Sequence, residues 1–140
     1  MYQNNGNILF ISDDQHTLSR YRQAYVESYN VFTASSIKEA HRTLTEYDVH
    51  VTVVKQMMPQ MSGLQFCESI SHEFPSLTNI IVSSSNDTDS LKRAYETGLI
   101  FRFVSEPFSN LDLQMAIDNA LQIQEAQFEN QQLSQKISSY

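Results

Sequence analysis

Apolar and polar positions follow two different periods along this chain. Five short runs rich in Val, Ile and Phe are each the right length for one buried strand. They occupy residues 8–12, 31–34, 49–54, 79–83 and 101–104. Between the runs, apolar residues recur every three or four positions, which indicates amphipathic helices. These helices are predicted at residues 16–27, 37–46, 63–74 and 87–97. The alternation predicts a doubly wound α/β domain with a single five-stranded parallel sheet between helices.

A fifth helix is predicted to begin near Ser109 or Asn110 and to meet no breaker before the C-terminus. It is longer than the domain needs, so we expect a domain over residues 1–122 and an extension over 123–140. The residues expected to pack on the domain are Leu111, Leu113, Ile117, Ala120 and Leu121. The residues that fit a heptad seam are Ala116, Ile123, Ala126, Asn130, Leu133 and Ile137. The extension is predicted to be a dimerising coiled coil or, alternatively, a frayed tail or linker.

Composition narrows the class of protein. The 140 residues are 41% hydrophobic, which suits one domain with one core. The net charge of −7 argues against direct binding to nucleic acid or to anionic membranes. No apolar run approaches the roughly 20 residues that span a bilayer, so a soluble cytoplasmic protein is expected. The single cysteine, Cys67, excludes an intramolecular disulfide and is expected to be buried.

Charged and hydroxyl residues follow four of the five predicted strands. Asp13 and Asp14 follow the first strand, Lys55 ends the third, Ser84 follows the fourth, and Glu106 follows the fifth. Ligands collect at the carboxyl ends of strands in a doubly wound sheet, so these side chains are expected to converge on one cleft. The four histidines show no metal-ligand spacing, and each is interpreted as a solvated or capping residue without a functional role.

The acidic pair, the MPQMSG segment after the third strand, the hydroxyl after the fourth strand and the Pro-Phe pair after the fifth together resemble the receiver domain of two-component response regulators. The resemblance covers about residues 7–122. It implies a flavodoxin-like fold of five βα repeats and a signalling module that is not an enzyme. In that family the acidic pair binds Mg²⁺, an aspartate ending the third strand accepts a phosphoryl group, and a lysine before the proline neutralises it. By position, Asp13 and Asp14 match the acidic pair, Ser84 the phosphate-contacting hydroxyl, and Phe103 the aromatic that reorients on activation.

Two positions depart from the family pattern. Lys55 stands where the acceptor aspartate is expected, and Glu106 stands where the lysine is expected, with Met57 in the loop beside them. An ammonium group forms no acyl phosphate, and it would repel a divalent cation. We therefore expect neither phosphorylation nor Mg²⁺ nor any other cofactor in this cleft. Lys55 is expected to pair with Asp13, Asp14 or Glu106. The open alternative is that the side chains of Lys55 and Glu106 both point into water.

The sequence thus predicts a phosphorylation-independent receiver, or pseudo-receiver, that signals by contact with a protein partner or output domain. The contact surface is expected on the fourth helix, fifth strand and fifth helix, with a homodimer possible there. The alternative function is a sensor that binds a small anionic ligand through Lys55, Ser84 and the loop at Asn86. The segment 98–113 also resembles receivers attached to cyclic-di-GMP phosphodiesterase or transcription-factor outputs.

Overall fold

The computed structural model describes the backbone of residues 6–84 and 88–138, and the side chains of those residues as far as residue 130. Strands and helices alternate throughout, which confirms the predicted α/β fold. In chain order the elements are β1 (Asn7–Ile11), α1 (Gln15–Tyr25), β2 (Asn30–Ala34), α2 (Ile37–Glu46), β3 (Val51–Lys55), α3 (Gly63–Ile70), β4 (Thr78–Ser83), α4 (Thr88–Glu96), β5 (Arg102–Ser105) and α5 (Asn110–Ser138). The predicted start of the fourth helix at Asp87 lies outside the described residues, as does Asn86.

The five strands form one parallel sheet in the order β2-β1-β3-β4-β5. Strand order reverses between β1 and β3, so the chain leaves these neighbouring strands toward opposite faces of the sheet. The loops after β1 and β3 therefore flank a crevice at the carboxyl edge. The register pairs Ile11 with Val54 and Lys55 with Val82, which places Asp13 and Lys55 side by side at that crevice.

The sheet has a hydrophobic core on each face, because successive strand residues point to opposite sides. Ile8, Phe10 and Val53 pack against α1 and α5, while Leu9, Ile11 and Val54 pack against the three remaining helices. Cys67 belongs to the second core and is fully buried, which confirms its predicted position. Burial raises the pKa of the Cys67 thiol to about 12, so the thiol stays protonated and unreactive at neutral pH.

Helix α3 is shorter than the predicted range of 63–74. It begins with a capping box, in which Ser62 and Gln65 each accept a hydrogen bond from the other's backbone N–H. It ends at Ile70, where the hydroxyls of Ser69 and Ser71 donate to the backbone carbonyls three residues earlier. Such local bonds compete with helical ones, which explains the early end of the helix.

Helix α5 begins at Asn110 as predicted and runs for 29 residues. Two assignments of its faces were wrong. Leu111 is 62% exposed and does not pack on the domain, whereas Ala116 is 1% exposed and belongs to the core instead of the seam. Leu113, Ile117 and Ala120 set the phase of the helix, since all three are fully buried against the sheet, as predicted. Leu121 also packs there, while the side chains of Leu133 and Ile137 lie outside the described residues.

Hydrogen bonds attach α5 to the domain at three points along its length. The hydroxyl of Tyr25 donates to the Asn110 carbonyl at 2.8 Å, and the hydroxyl of Tyr29 donates to Asp118 Oδ1 at 2.5 Å. Burial and the Asp118 carboxylate raise the pKa of Tyr29 well above its usual value, so this donor stays protonated. The third attachment is made by Gln124, whose side-chain amide donates to groups at the amino edge of the sheet.

Candidate functional site

The side chain of Lys55 is anchored at the carboxyl end of β3. Its Nζ donates to Asp13 Oδ1 at 2.9 Å, so the expected ion pair is present and Asp13 is the partner. The two side chains are 36% and 38% exposed. An ion pair this exposed contributes at most about 1 kcal/mol to folding, because water screens both charges.

Asp14 has a different role from its neighbour. It is the N-cap of α1, with Oδ1 accepting from the His16 N–H at 3.0 Å and Oδ2 accepting from the Thr17 hydroxyl at 2.8 Å. The Thr17 hydroxyl, followed by the His16 amide, lowers the pKa of Asp14 below the ordinary value of an aspartate. Of the acidic pair, one carboxylate therefore holds a lysine and the other holds the start of a helix.

A cavity of about 310 Å³ lies beside this ion pair, and four of the predicted site residues line it. These four are Asp14, Lys55, Ser84 and Glu106. Among the described residues, the structure thus brings the ends of β1, β3, β4 and β5 together as the sequence predicted. We use the name cleft for this cavity and the Asp13–Lys55 pair.

Helix α1 contributes residues to the cleft that the sequence reasoning missed. Thr17, Arg20 and Tyr21 line the same cavity. Burial and the Glu106 carboxylate raise the pKa of Tyr21 to about 12, with Arg20 opposing. The sequence spacing could have revealed this, because Thr17 and Tyr21 lie three and seven positions after the Asp14 cap and therefore share one face of the helix. Arg20 gives the cleft a second cation beside Lys55.

Met57 and Phe103 lie apart from the ion pair. Met57 is 60% exposed in the loop after β3, whereas Phe103 of β5 packs against the core beneath α2, α3 and α4. Glu106 is exposed and precedes Pro107 through a cis peptide bond. Of the predicted site residues, Met57 and Phe103 therefore do not line the cavity.

The loop that carries Met57 is closed tightly behind Lys55. Gln56 is 4% exposed, its carbonyl accepts from the Gly63 N–H, and its side-chain oxygen accepts from the Leu64 N–H. A Cβ atom at Gly63 would lie 2.8 Å from the Lys55 carbonyl oxygen, closer than a side chain tolerates. Gly63 thus permits the close approach that fixes the backbone of Lys55. Gln56 was not singled out from the sequence.

The cleft residues do not fit a magnesium ion. Mg²⁺ requires several oxygen ligands in an octahedral arrangement. Asp13 is engaged by the Lys55 ammonium group, and both oxygens of Asp14 accept hydrogen bonds from α1. Within the described parts of the chain, no three His, Cys, Asp or Glu side chains are grouped so that they could hold a metal ion.

Comparison with known proteins assigns the family. Residues 8–118 match the model of the response regulator receiver domain. The chain belongs to that family. It is therefore a receiver domain of two-component signalling, and receiver domains are generally signalling modules without enzymatic activity that work with output domains or partner proteins.

Two relatives show the range of proteins in which similar receivers occur. The hydrogenase transcriptional regulatory protein HoxA of Cupriavidus necator is 25% identical over 127 residues, covering 91% of this chain and 26% of the relative. A cyclic di-GMP phosphodiesterase of Thermotoga maritima is 30% identical over 115 residues, covering 81% of this chain and 30% of the relative. The receiver therefore spans about a quarter to a third of the length of these two relatives.

A solved structure supports the same fold. The signal receiver domain of an HD domain-containing protein from Pseudomonas fluorescens Pf-5 superimposes with a TM-score of 0.80 and 25% identity, covering 88% of this chain and 99% of the other. In the described part of the receiver, none of the helices combines the length and apolar character needed to cross a lipid bilayer.

Proposed function

We propose that this receiver signals without phosphorylation of an aspartate, as a pseudo-receiver. The observation that carries the proposal is the 2.9 Å ion pair between Lys55 Nζ and Asp13 Oδ1. Lys55 occupies the end of β3, where the family resemblance places the acceptor aspartate, and Glu106 stands before Pro107, where it places a lysine. The acidic and basic positions of the cleft are exchanged.

The exchange removes the chemistry of phosphoryl transfer to an aspartate at this position. A lysine ammonium group carries no lone pair for attack on phosphorus. The ion pair also fills the place of a divalent cation, because Lys55 neutralises one of the two carboxylates that would coordinate it. The Lys55 ammonium group thus holds the cleft in one charge state. Binding of a partner, or self-association, would then regulate the module instead of phosphorylation.

The contact surface that we propose lies on α4, β5 and α5. Among the described residues, five large apolar side chains are exposed there: Tyr95 at 54%, Leu111 at 62%, Met115 at 55%, Ile123 at 44% and Phe128 at 59%. Leu111 and Met115 lie four residues apart on one side of α5, pointing away from the core residues Leu113 and Ile117. The exposed pair Leu111 and Met115 replaces the Ala116 seam as a candidate homodimer surface, and the extension begins near residue 123. Sedimentation over a range of concentrations would measure the self-association.

The alternative of a small-anion sensor finds less support. Carboxylates outnumber cations around the cleft, with Asp13, Asp14 and Glu106 facing Lys55 and Arg20. A site for an anion needs excess positive charge or converging donors. The proposed partners are therefore proteins, and the net charge of −7 argues against direct contact with nucleic acid.

A phosphate mimic tests the proposal directly. We expect no chemical shift change at Phe103 or Ser84 when the wild-type receiver is titrated with Mg²⁺ and beryllofluoride, because the acceptor carboxylate is missing. The matched control is the double variant Lys55→Asp, Glu106→Lys, which restores the family arrangement and should respond to both additives together. A saturable, Mg²⁺-dependent response of the wild-type protein would show that Lys55 moves aside, and the proposal would then be wrong.

A further inference from the structure

His50 is a junction of hydrogen bonds at the amino edge of the sheet, directly before β3. The imidazole Nδ1 of His50 accepts from the Asn7 backbone N–H at 2.9 Å, and the backbone N–H of His50 donates to the Asn7 carbonyl at 2.9 Å. Its carbonyl accepts from the Thr78 N–H at 3.2 Å and from Gln124 Nε2 at 2.5 Å. One residue therefore connects β1, β4 and α5.

Gln124 makes the connection to α5 specific. Its single amide nitrogen lies 2.5 Å from the His50 carbonyl, 2.8 Å from the Ser76 carbonyl and 2.8 Å from Thr78 Oγ1. An amide carries only two hydrogens for these three acceptors, so the bonds depend on the relative placement of all three oxygens. We name Asn7, His50, Ser76, Thr78 and Gln124 the basal junction.

The bond to Asn7 requires a neutral imidazole. A backbone N–H can only donate, so Nδ1 must present its lone pair, and a proton on Nδ1 would set two donors against each other. Imidazole is the side chain whose charge changes between about pH 5 and 8. Protonation of the ring at the lower end of this range would break the hydrogen bond from the Asn7 N–H, whereas the neutral ring at the upper end keeps that bond.

Two carboxylates share a groove with His50. Asp48 Oδ2, in the loop before β3, lies 3.7 Å from His50 Nε2, and Glu125 of α5 lines the same groove of about 820 Å³. Among the described residues lining that groove, Asp48, His50 and Glu125 are the titratable ones. The His50 side chain is 36% exposed, so a proton can reach it without unfolding.

We propose that His50 is a pH-sensitive latch for helix α5. In its neutral form the imidazole ties Asn7 to the start of β3 and keeps the His50 carbonyl in place for Gln124. When Nδ1 gains a proton, the ring turns from Asn7 toward Asp48, one of the two bonds between Asn7 and His50 is lost, and the Gln124 attachment to the His50 carbonyl weakens with it. Mild acidification would thereby loosen the C-terminal half of α5, which carries the exposed side chain of Phe128, while the cleft at the other edge keeps its ion pair.

Amide exchange and NMR on the full 140-residue chain test this latch. We expect Nδ1 of His50 to be unprotonated at pH 8 and to gain a proton as the pH is lowered to about 5.5. Over the same range, the exchange protection factors of Asn7 and of the α5 amides near Gln124 should fall about fivefold, the effect of losing one hydrogen bond. The Gln124 side-chain amide resonances should shift with the same midpoint.

Two variants separate the latch from a general effect of acid. His50→Gln keeps a neutral acceptor for Asn7 and does not titrate, so its α5 protection should be independent of pH in this range. His41→Gln removes a histidine of α2 that pairs with Glu73 and makes no bond in the basal junction, so it should leave the wild-type response unchanged. The proposal is overturned if Nδ1 carries a proton at pH 8, if His50 titrates without any change at Gln124, or if His50→Gln loses α5 protection as the wild type does. The first of these is read from the wild-type protein and holds even if a variant fails to fold.

Discussion

At the carboxyl edge of the sheet the Lys55–Asp13 pair carries full charges and lies partly in water, whereas at the amino edge the neutral side chain of Gln124 is bonded to the backbone. Lys55 and Asp13 are each more than a third exposed. Gln124, by contrast, donates to two main-chain carbonyls and a threonine hydroxyl beneath α5. Charges in water contribute little to folding, and an unpaired acceptor out of water costs more. The amino edge should therefore hold the domain together, and the carboxyl edge is free to serve recognition.

Removing the Gln124 side chain tests the stronger side of this comparison and has the largest expected effect. Gln124→Ala leaves the His50 and Ser76 carbonyls and the Thr78 hydroxyl without their shared donor, so the free energy of unfolding should fall by about 1–3 kcal/mol. Chemical denaturation followed by circular dichroism measures the change.

The matched control is Gln122→Ala, two residues earlier on the exposed side of α5. It should alter the free energy of unfolding by less than about 0.5 kcal/mol. Equal losses in the two variants would mean that the basal junction does not set the stability of this region.

Removing Lys55 tests the weaker side. Lys55→Ala should lower the free energy of unfolding by no more than about 1 kcal/mol, and raising the salt concentration should shrink the difference, because the ion pair is exposed and screened. The variant should also gain measurable affinity for Mg²⁺, since Asp13 loses its internal cation.

Lys38→Ala, at an exposed position of α2, is the control for loss of a surface lysine. It should change neither stability nor Mg²⁺ affinity. If Lys55→Ala has the same stability as wild type and binds no Mg²⁺, the ion pair has no role in holding the cleft.

The smallest expected effect is the pH dependence of the Asp14 cap. The folded-state pKa of Asp14 is lowered below 3.8, so its carboxylate stabilises α1 above that pH and the contribution is lost as the pH falls through the lowered pKa. Wild type should therefore lose more thermal stability between pH 7 and pH 3 than Asp14→Asn, which keeps a neutral capping oxygen. Identical pH profiles would contradict a role for the charge.

The sequence predicted the fold well because strand and helix periods are local properties. The convergence of Asp14, Lys55, Ser84 and Glu106 was predictable for a related reason, since the carboxyl ends of parallel strands meet at one edge. The choice of Asp13 over Asp14 as the partner of Lys55 was not, because either aspartate can cap a helix and the backbone direction decides which one does.

The errors concern the relative placement of elements. Leu111 and Ala116 were assigned to the wrong sides of α5, because a nearly continuous apolar pattern does not fix the rotation of a long helix against the sheet. His50 was given no role, and Gln124 and Arg20 were passed over, since polar residues reveal their partners only when distant segments meet. The contact of Gln124 with His50 joins residues 74 positions apart, which no local pattern contains.

The position of Gln124 along α5 has a mechanical consequence. The residue lies midway between Asn110 and Ser138, so about 14 residues, or roughly 21 Å of helix, continue beyond it. If the N-terminal half stays attached through Tyr25 and Tyr29 while Gln124 lets go, a tilt of about 10° at that point would carry the far end through roughly 4 Å. A displacement of that size exceeds the tolerance of a packed interface. The length of α5 beyond Gln124 would therefore convert the loss of a few hydrogen bonds at the amino edge of the sheet into a movement that a partner can detect.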